Sequence, residues 1–310
     1  MKSMWAVTAY YNPARFKRRL ANYKHFSANL RARLVTVELS FDGHFELTED
    51  DADVLIQISG GAVLWQKERL LNLAMKSVPF DVKNIAWTDC DVVFERQDWM
   101  DEAERLLETF NVVQPFSEVV DLKPDGHLSN LTELCSTGCS LVSLINGDAR
   151  AQFDAASWGT MNASSKRSYV TGIAWVARRS ILEKHGLYDA MIIGGGDRAM
   201  LHAMYGQFDK ETQLHHLNKS QEEHYLKWAQ PYYQDVAGKV GHVSGRVYHL
   251  WHGDFINRNY SGRHRLFADF GFEPEADLVV GHNGAWRWAR PRPEMESFLT
   301  NYFVVRAEDE

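Results

Sequence analysis

The sequence predicts an α/β fold in which helices flank a mostly parallel β-sheet. Over the first 115 residues, short apolar segments of strand length alternate with longer amphipathic segments of helix length. This alternation is typical of strands that are joined by crossover helices and therefore run parallel. The second half of the chain is less regular, and no internal repeat or Pro/Gly-rich linker divides it.

Four apolar segments in the first half predict short strands, the first of them buried. They cover residues 5–9, 34–39, 54–58 and 85–87. Residues 14–33, between the first and second strands, have helical periodicity, and so do residues 65–77, between the third and fourth strands. In a parallel sheet, ligands collect where the strands end. The residues that follow the fourth strand are therefore the first candidates for a site.

The second half contains recognisable elements and two stretches that the pattern does not resolve. The elements are strands at 112–116 and 247–251 and helices at 180–185 and 198–205. Residues 117–130 are expected to form an excursion from the sheet. The polar stretch 207–245, rich in Tyr, His and Gln, has no assignable pattern.

The composition excludes several classes of protein. The formal net charge of the 310 residues is −7, from 34 Lys and Arg against 41 Asp and Glu, so the chain as a whole is not a basic nucleic-acid scaffold. Three cysteines do not suit a disulfide framework and favour a reducing compartment. No segment approaches the ~18 apolar residues of a membrane span, and the N-terminus lacks a signal-peptide run. We expect a soluble, cytoplasmic protein without a transmembrane segment.

The first candidate site is the acidic pair Asp89 and Asp91, directly after the fourth predicted strand. If the segment stays extended, both carboxylates lie on one face and Cys90 on the other. Two carboxylates this close repel each other unless they share a cation. Oxygen ligands suit Mg²⁺ or Mn²⁺, which keep positions open for phosphate oxygens. The alternative is an ordinary acidic turn, because a D-x-D pair also occurs by chance.

The second candidate is Asp197, which follows three glycines at 194–196. Glycines let the backbone approach a ligand closely and adopt positive φ, so Gly195 and Gly196 are expected beside a ligand. Asp197 would then begin a helix, where Asp is also a favoured N-cap. A cap does not need three glycines. We therefore expect a general base that reaches into a crowded site, with a cap as the alternative.

The third candidate is the pair His249 and His252 in the segment His-Leu-Trp-His-Gly. Imidazole can complete a metal shell that carboxylates begin, and Mn²⁺ accepts such mixed ligation. Histidines three residues apart cannot share one face of a strand, so the chain must turn at 251–253 if both are ligands. A weaker candidate is Lys67, which begins a helix after two glycines and is expected near a nucleotide, although a solvated helix face explains it equally well.

The order of these features resembles the GT-A glycosyltransferases, in particular the family-2-like and galactosyltransferase-like members. Residues 85–94 (IAWTDCDVVF) are similar to the strand-terminal D-x-D of that superfamily. Residues 172–197 are similar to its acceptor-side segment, in which a Gly-Gly-x-Asp pattern supplies the base. Residues 247–265 are similar to its histidine-bearing metal segment with a trailing arginine-rich stretch. The chain departs from some galactosyltransferases in lacking a run of several acids before the base.

The resemblance implies a GT-A type, Rossmann-like domain over residues 1–265. Its nucleotide-sugar-binding half would be 1–115, and its irregular, acceptor-side and catalytic half would be 116–265. Residues 266–310 match nothing in the family and are expected to be a C-terminal extension that packs on the domain.

The resemblance also implies an activity, the metal-dependent transfer of a sugar from a nucleotide-sugar donor to an acceptor hydroxyl. The donor would be a UDP-sugar, and the anomeric configuration would invert. Asp91 and one or both of the two histidines would hold Mn²⁺ or Mg²⁺, with Asp89 acting through water or on the ribose. Asp197 would be the general base.

Four further residues are assigned on the same basis. Thr8, Ala9 and Tyr11, at the end of the first strand, would face the nucleotide. Trp175 would stack on a sugar ring, because indole faces suit sugars.

Two other functions remain as alternatives. One is a sugar-nucleotidyltransferase-like enzyme, which also uses an α/β sheet and metal-binding carboxylates. The other is a non-catalytic carbohydrate-binding protein rich in Trp. A glycan is the expected acceptor, with a protein side chain or a nucleic acid as alternatives.

Overall fold

The computed structural model describes residues 4–124, 134–147, 169–260 and 262–310, and all elements below belong to these ranges. The strands are β1 (Met4–Tyr11), β2 (Leu34–Ser40), β3 (Val54–Ser59), β4 (Asn84–Thr88), β5 (Val92–Phe94), β6 (Val112–Gln114), β7 (Glu118–Leu122), β8 (Leu134–Ser140), β9 (Tyr169–Val170), β10 (Ala174–Arg178), β11 (Val240–His242), β12 (Arg246–His249), β13 (Leu278–Val280) and β14 (Trp286–Trp288). The α-helices are α1 (Lys17–Asn29), α2 (Lys67–Met75), α3 (Trp99–Leu106), α4 (Leu141–Gly147), α5 (Arg179–His185), α6 (Gly196–Met204), α7 (Phe208–Leu214), α8 (Lys219–Val236), α9 (Arg263–Ala268), α10 (Pro274–Asp277) and α11 (Pro293–Val304).

A seven-stranded sheet forms the centre of the fold, in the order β11-β6-β10-β4-β1-β2-β3. Neighbouring strands from β4 to β3 pair in parallel, as do β11 and β6. Of these seven strands, β10 alone runs antiparallel to its neighbours. The predicted α/β class with a mostly parallel sheet is therefore confirmed. The four strands predicted in the first half are β1 to β4, with bounds that differ by two residues or fewer.

Strand β1 is buried on both faces, which explains its nearly continuous apolar sequence. Val7 and Ala9 point into one core cluster, which also contains the buried residues of α2. Ala6 and Tyr10 point into the opposite cluster with the aromatic residues of α1. Successive side chains of a strand alternate between the two sides, so helices that cover both faces make every position of β1 a core position.

A second sheet of five strands has the order β5-β12-β7-β8-β9. Strand β12 pairs antiparallel with β5 and parallel with β7. In this register His249 is the pairing partner of Val92 on one side and of Asp121 on the other. Within the predicted excursion 117–130, β7 leaves the central sheet and belongs to this second sheet, and residues 125–130 lie outside the described ranges.

The unassigned polar stretch 207–245 contains α7, α8 and β11. Helix α8 begins with a capping box. The Asn218 side chain accepts a hydrogen bond from the backbone N–H of Gln221, and the Gln221 side chain accepts one from the backbone N–H of Asn218. Its buried face carries Tyr225, Ala229 and Tyr232 at helical spacing.

The C-terminal residues 266–310 pack on two loops of the main domain. Phe267 and Leu299 share a core cluster with Leu64, in the loop before α2, and with Ile192, in the loop before α6. This part of the chain therefore supports the two loops that lead into the sequence-predicted site. Among the helices in the described ranges, none has both the length and the apolarity of a membrane span.

Candidate metal centre and catalytic cleft

A cleft opens at the carboxyl ends of β1 and β4, beside the first residues of α2 and α6. Its cavity volume is about 180 Å³. The sequence-predicted residues that line it are Ala9, Tyr11, Lys67, Asp89, Asp91, Gly195, Asp197, His249 and His252. Residues from all three predicted motifs therefore meet in one place, although more than 150 positions separate the first motif from the last.

Asp91, His249 and His252 converge on one side of the cleft. The Nε2 atoms of the two histidines lie 2.9 Å apart. Asp91 Oδ2 lies 3.4 Å from His252 Nε2, and Asp91 Oδ1 lies 3.7 Å from His249 Nε2. Adjacent ligands of an octahedral ion with bonds of about 2.1 Å are about 3.0 Å apart. One ligand atom from each residue can therefore bind a single cation after small adjustments.

The path of the backbone explains how histidines three residues apart reach one point. His249 ends β12, and the backbone N–H of Leu250 donates to the carbonyl oxygen of Asp91 at 2.8 Å. The chain then turns at Gly253, which has a φ of +90°. A Cβ at this position would clash with the carbonyl oxygen of Arg306. The turn that two histidine ligands require is present, and glycine is needed there for both conformation and space.

Asp121 orients the ring of His249. Its Oδ1 accepts a hydrogen bond from His249 Nδ1 at 2.8 Å, and both side chains are buried. With the proton on Nδ1, the lone pair of Nε2 faces Asp91 and His252. Carboxylates that bind the far nitrogen of a metal-binding histidine fix the ring and raise its basicity. The sequence did not single out Asp121, because its role depends on the pairing of β7 with β12.

The C-terminal part of the chain closes the other side of the metal centre. A guanidinium nitrogen of Arg306 lies 3.3 Å from His252 Nδ1, and Glu308 Oε1 lies 4.0 Å from the same nitrogen. Glu308 also pairs with Arg306 at 2.7 Å and with Arg19 at 2.8 Å. Burial would raise the pKa of Glu308, but Arg19 and Arg306 outweigh it and hold the pKa well below its ordinary value. The predicted extension is thus part of the site, which the sequence did not indicate.

The electrostatics of this group suit a cation. Asp91 Oδ1 is buried and has no hydrogen-bond partner among the described residues. Burial raises the pKa of Asp91, although His249 opposes it. Burial and Arg258 hold the pKa of His252 well below its ordinary value, so this imidazole is neutral and keeps a lone pair. A buried carboxylate without a partner is costly, and a bound cation would stabilise its ionised form.

Asp89 lies outside this group and pairs with Lys67 instead. Lys67 Nζ lies 3.0 Å from Asp89 Oδ1 and also forms an ion pair with Asp197. The lysine therefore bridges the first and second predicted motifs. The backbone N–H of Asp89 donates to the carbonyl oxygen of Ile173 at 2.7 Å, which fixes the segment beside β10.

Asp197 enters the cleft from the first turn of α6. The N-cap of this helix is Gly195, with a φ of +105°, so Asp197 is not the cap. Its carboxylate packs against Gly172, where a Cβ would lie only 2.6 Å from Oδ2. The glycine at position 172 therefore leaves the room that this carboxylate occupies.

The charges around Asp197 act in opposite directions. Burial raises its pKa, Lys67 lowers it, and Asp89 raises it further. Burial alone would lower the pKa of Lys67, but Asp197 and Asp89 outweigh it, and the pKa rises well above its ordinary value. Burial also raises the pKa of Glu68, behind this group, to about 8. A carboxylate with a raised pKa beside a charged lysine is suited to accept a proton near neutral pH.

The structure places three of the sequence-assigned residues outside the lining of the cleft. Trp175 is fully buried in β10, where it pairs with Trp87 of β4, so its indole cannot meet a sugar. Thr8 is also fully buried and donates a hydrogen bond to the carbonyl oxygen of Thr88 at 2.8 Å. Gly196 does not line the cleft; it is buried against Glu68, whose side chain takes the space of a Cβ.

Comparison with protein-family models gives no match, and comparison with curated proteins gives none either. Among solved structures, the chain is similar to S. aureus TarS 1–349, with 9% identity, a TM-score of 0.41, and coverage of 87% of this chain and 63% of that chain. TarS 1–349 in complex with UDP-GlcNAc matches with 11% identity, a TM-score of 0.43, and coverage of 81% and 58%. TarS 1–349 in complex with UDP matches with 9% identity, a TM-score of 0.42, and coverage of 97% and 70%. The chain thus spans less than two thirds of the length of the first two of these structures.

The role of Asp121 can be tested by the substitution Asp121→Asn. The amide keeps an oxygen for His249 Nδ1 but loses the charge that supports the ring. We expect the affinity for Mn²⁺ to fall by about 10- to 100-fold, as measured from the electron paramagnetic resonance signal of free Mn²⁺. The control is Asp209→Asn, an exposed carboxylate in the first turn of α7. Equal affinity in both variants and the unaltered protein would show that Asp121 does not support a metal ligand.

Proposed function

We propose that this protein is a metal-dependent glycosyltransferase that moves a sugar from a nucleotide-sugar donor, a UDP-sugar, to an acceptor hydroxyl. One observation carries the proposal: a single cleft contains both a three-residue cation group and a separate carboxylate, Asp197, presented by glycines. These two parts supply the two functions that sugar transfer needs. One neutralises the leaving diphosphate, and the other removes the proton of the acceptor.

Mn²⁺ suits the cation group better than Mg²⁺. Two of the three ligands, His249 and His252, are imidazoles, which bind borderline metals, whereas Mg²⁺ prefers an all-oxygen shell. Three protein ligands leave positions of an octahedral ion open for phosphate oxygens. When bound, the ion would act as a Lewis acid that stabilises the charge of the leaving diphosphate, an effect of several kcal/mol.

Arg258 adds a permanent charge to the same wall. Its guanidinium donates to the carbonyl oxygens of His252 and Gly253 at 3.1 and 3.2 Å and to the hydroxyl of Tyr260 at 2.9 Å. Among the described residues no carboxylate forms an ion pair with it, and its Nε has no partner. We assign it to the diphosphate of the donor, because guanidinium groups match phosphate oxygens in shape and charge.

The reaction would exchange two bonds at the anomeric carbon. The acceptor oxygen bonds to this carbon while the bond from the carbon to the diphosphate oxygen breaks, and the electron pair of that bond stays on the diphosphate. Asp197 takes the proton of the acceptor hydroxyl and releases it to solvent after the product leaves. Attack from the side opposite the leaving group inverts the configuration.

The remaining cleft residues would hold the nucleotide sugar. Ala9 and Tyr11, at the end of β1, and Gly195 line the cleft next to these groups. The indole of Trp65 lines the cleft, whereas that of Trp175 does not. Trp65 stacks on Phe303, with the ring centroids 6.3 Å apart. We propose that Trp65 provides the aromatic surface for the donor.

A screen of UDP-sugars for release of free UDP tests the proposal against its alternatives. A sugar-nucleotidyltransferase would consume a nucleoside triphosphate and release pyrophosphate. A carbohydrate-binding protein would leave every UDP-sugar intact. Either result would overturn the proposed activity.

The metal requirement gives a direct prediction. EDTA should abolish UDP release, and Mn²⁺ should restore it more effectively than Mg²⁺ at equal concentration. Mn²⁺ at one hundred times its dissociation constant should also raise the free energy of unfolding by about 2.7 kcal/mol, measurable by thermal denaturation. Full activity in excess chelator would contradict the metal role.

The role of Asp197 predicts a separate effect. In Asp197→Asn the amide cannot accept the proton, so transfer should fall by about 10²- to 10⁴-fold, while the affinity for UDP and Mn²⁺ changes little. Initial rates and calorimetric titration with UDP measure the two effects. Asp209→Asn serves again as the control, and near-normal turnover of the Asp197 variant would exclude it as the base.

Lys67 predicts a change in pH dependence. Asp197 must be ionised to act as a base, so activity is lost as the pH falls through its pKa. Lys67 lowers that pKa, and Lys67→Met should therefore move the acidic limb of the kcat/KM profile to higher pH. Lys67→Arg keeps the charge and should leave the limb closer to its original position. An unmoved limb in the Met variant would show that another group controls it.

A further inference from the structure

The wall of the cleft next to Asp197 carries a second group of basic side chains, apart from the metal centre. It consists of Arg198, Arg263, His215 and His264, which we call the basic wall. All four line the cleft. Arg198 directly follows the proposed base on α6, and Arg263 and His264 begin α9.

Two glycines bring the basic wall close to the loop that presents Asp197. A Cβ on Gly194 would lie 3.1 Å from a guanidinium nitrogen of Arg263. A Cβ on Gly195 would lie 2.8 Å from the ring of His215 and 3.1 Å from that of His264. Both glycines have positive φ. They therefore serve the packing of this wall as well as the access of the base.

Two carboxylates of the cleft, Asp89 and Asp197, and one behind it, Glu308, already have cationic partners outside the basic wall. Lys67 pairs with both Asp89 and Asp197. Glu308, behind the metal centre, pairs with Arg19 and with Arg306.

Behind the basic wall lies one further buried carboxylate, Glu211. It is bound by His202 and His215. Burial would raise its pKa, but the two histidines outweigh burial and hold the pKa at about 2. This negative charge is therefore shared between two rings and does not form an ion pair with an arginine.

The two arginines of the basic wall have no such partner. In the part of the chain that the structure describes, neither Arg198 nor Arg263 forms an ion pair with a carboxylate. Arg263 bonds to the hydroxyl of Tyr302 and, at 3.3 Å, to the ring of His264. The Nε of Arg198 is buried and has no hydrogen-bond partner, and burial lowers the pKa of this guanidinium.

An uncompensated guanidinium in a buried place destabilises the free protein. A ligand with an anionic group would remove this cost, because arginine binds phosphate and carboxylate oxygens through paired, charge-assisted hydrogen bonds. The diphosphate of the donor already has the cation group and Arg258. The basic wall lies instead beside Asp197, where the acceptor hydroxyl must be.

We propose that the acceptor carries an anionic group, a phosphate or a carboxylate near the hydroxyl that attacks, and that Arg198 and Arg263 bind it. This inference rests on the proposed function, because it takes Asp197 as the base. The bond between the basic wall and the anion would set the distance of the hydroxyl from Asp197. Acceptors without charge would bind weakly, and their hydroxyl would not be held at the correct distance from Asp197.

A pair of matched probes tests the proposal. The protein, saturated with Mn²⁺ and UDP, is titrated in a calorimeter with glucose 6-phosphate and, separately, with glucose. We expect glucose 6-phosphate to bind and glucose to bind at least about 10-fold more weakly. In Arg198→Gln the affinity for glucose 6-phosphate should fall by about 10- to 100-fold, while the affinity for UDP stays within about twofold.

Two further variants make the result specific. Arg265→Gln removes an exposed arginine of the same helix as Arg263, outside the cleft, and should behave like the unaltered protein. Arg198→Lys keeps the charge but loses the paired geometry, and it should give an intermediate affinity; it also serves if the glutamine variant does not fold, as judged by circular dichroism.

Three results would overturn the inference. The first is equal binding of glucose and glucose 6-phosphate, and the second is unchanged binding of glucose 6-phosphate in both Arg198 variants. The third is a loss of UDP affinity as large as the loss of glucose 6-phosphate affinity, which would assign the basic wall to the donor. Failure of the proposed function differs from all of these, because the unaltered protein would then neither bind UDP with Mn²⁺ nor release UDP from any UDP-sugar.

Discussion

The pairing of β12 between β5 and β7 is the constraint on which the candidate metal centre depends. Strand β5 immediately follows the acidic pair, and β7 carries Asp121. His249 is the pairing partner of Val92 and of Asp121. This one register therefore places the proposed ligand His249 next to Asp121, which orients its ring, and next to the D-x-D segment that contains Asp91. A shift of β12 by one residue would turn the His249 ring to the opposite face of the sheet. The chemistry of this side of the cleft is thus fixed by backbone hydrogen bonds that involve none of the functional side chains.

Lys67 has a comparable role on the other side of the cleft. It neutralises two carboxylates that come from different motifs, so Asp89 and Asp197 can lie near each other in a partly buried place. This also explains why the two aspartates of the D-x-D pair differ: Asp91 faces two histidines, and Asp89 faces a lysine. The acidic pair is therefore divided between the two halves of the site.

The sequence was sufficient for features that leave a local pattern. Two-sided burial gives β1, β2 and β4 largely apolar runs, and glycines before Asp197 indicate a close approach. It was insufficient where a role depends on long-range packing. Helix α8 was not recognised because its buried face uses tyrosines and an alanine within a polar stretch. Asp121 has no distinguishing neighbours, and Trp175 was assigned to a sugar because the number of tryptophans does not show which of them are buried.

The ion pair between Arg19 and Glu308 joins residues that are 289 positions apart in the chain, next to a metal ligand from a third region. Through Glu308 and Arg306, this long-range pair fixes the wall behind His252. The position of His249 depends instead on the pairing of β12 with β5 and β7. Local unfolding of the C-terminal segment would therefore release His252 and loosen the proposed cation group while the two sheets stay intact.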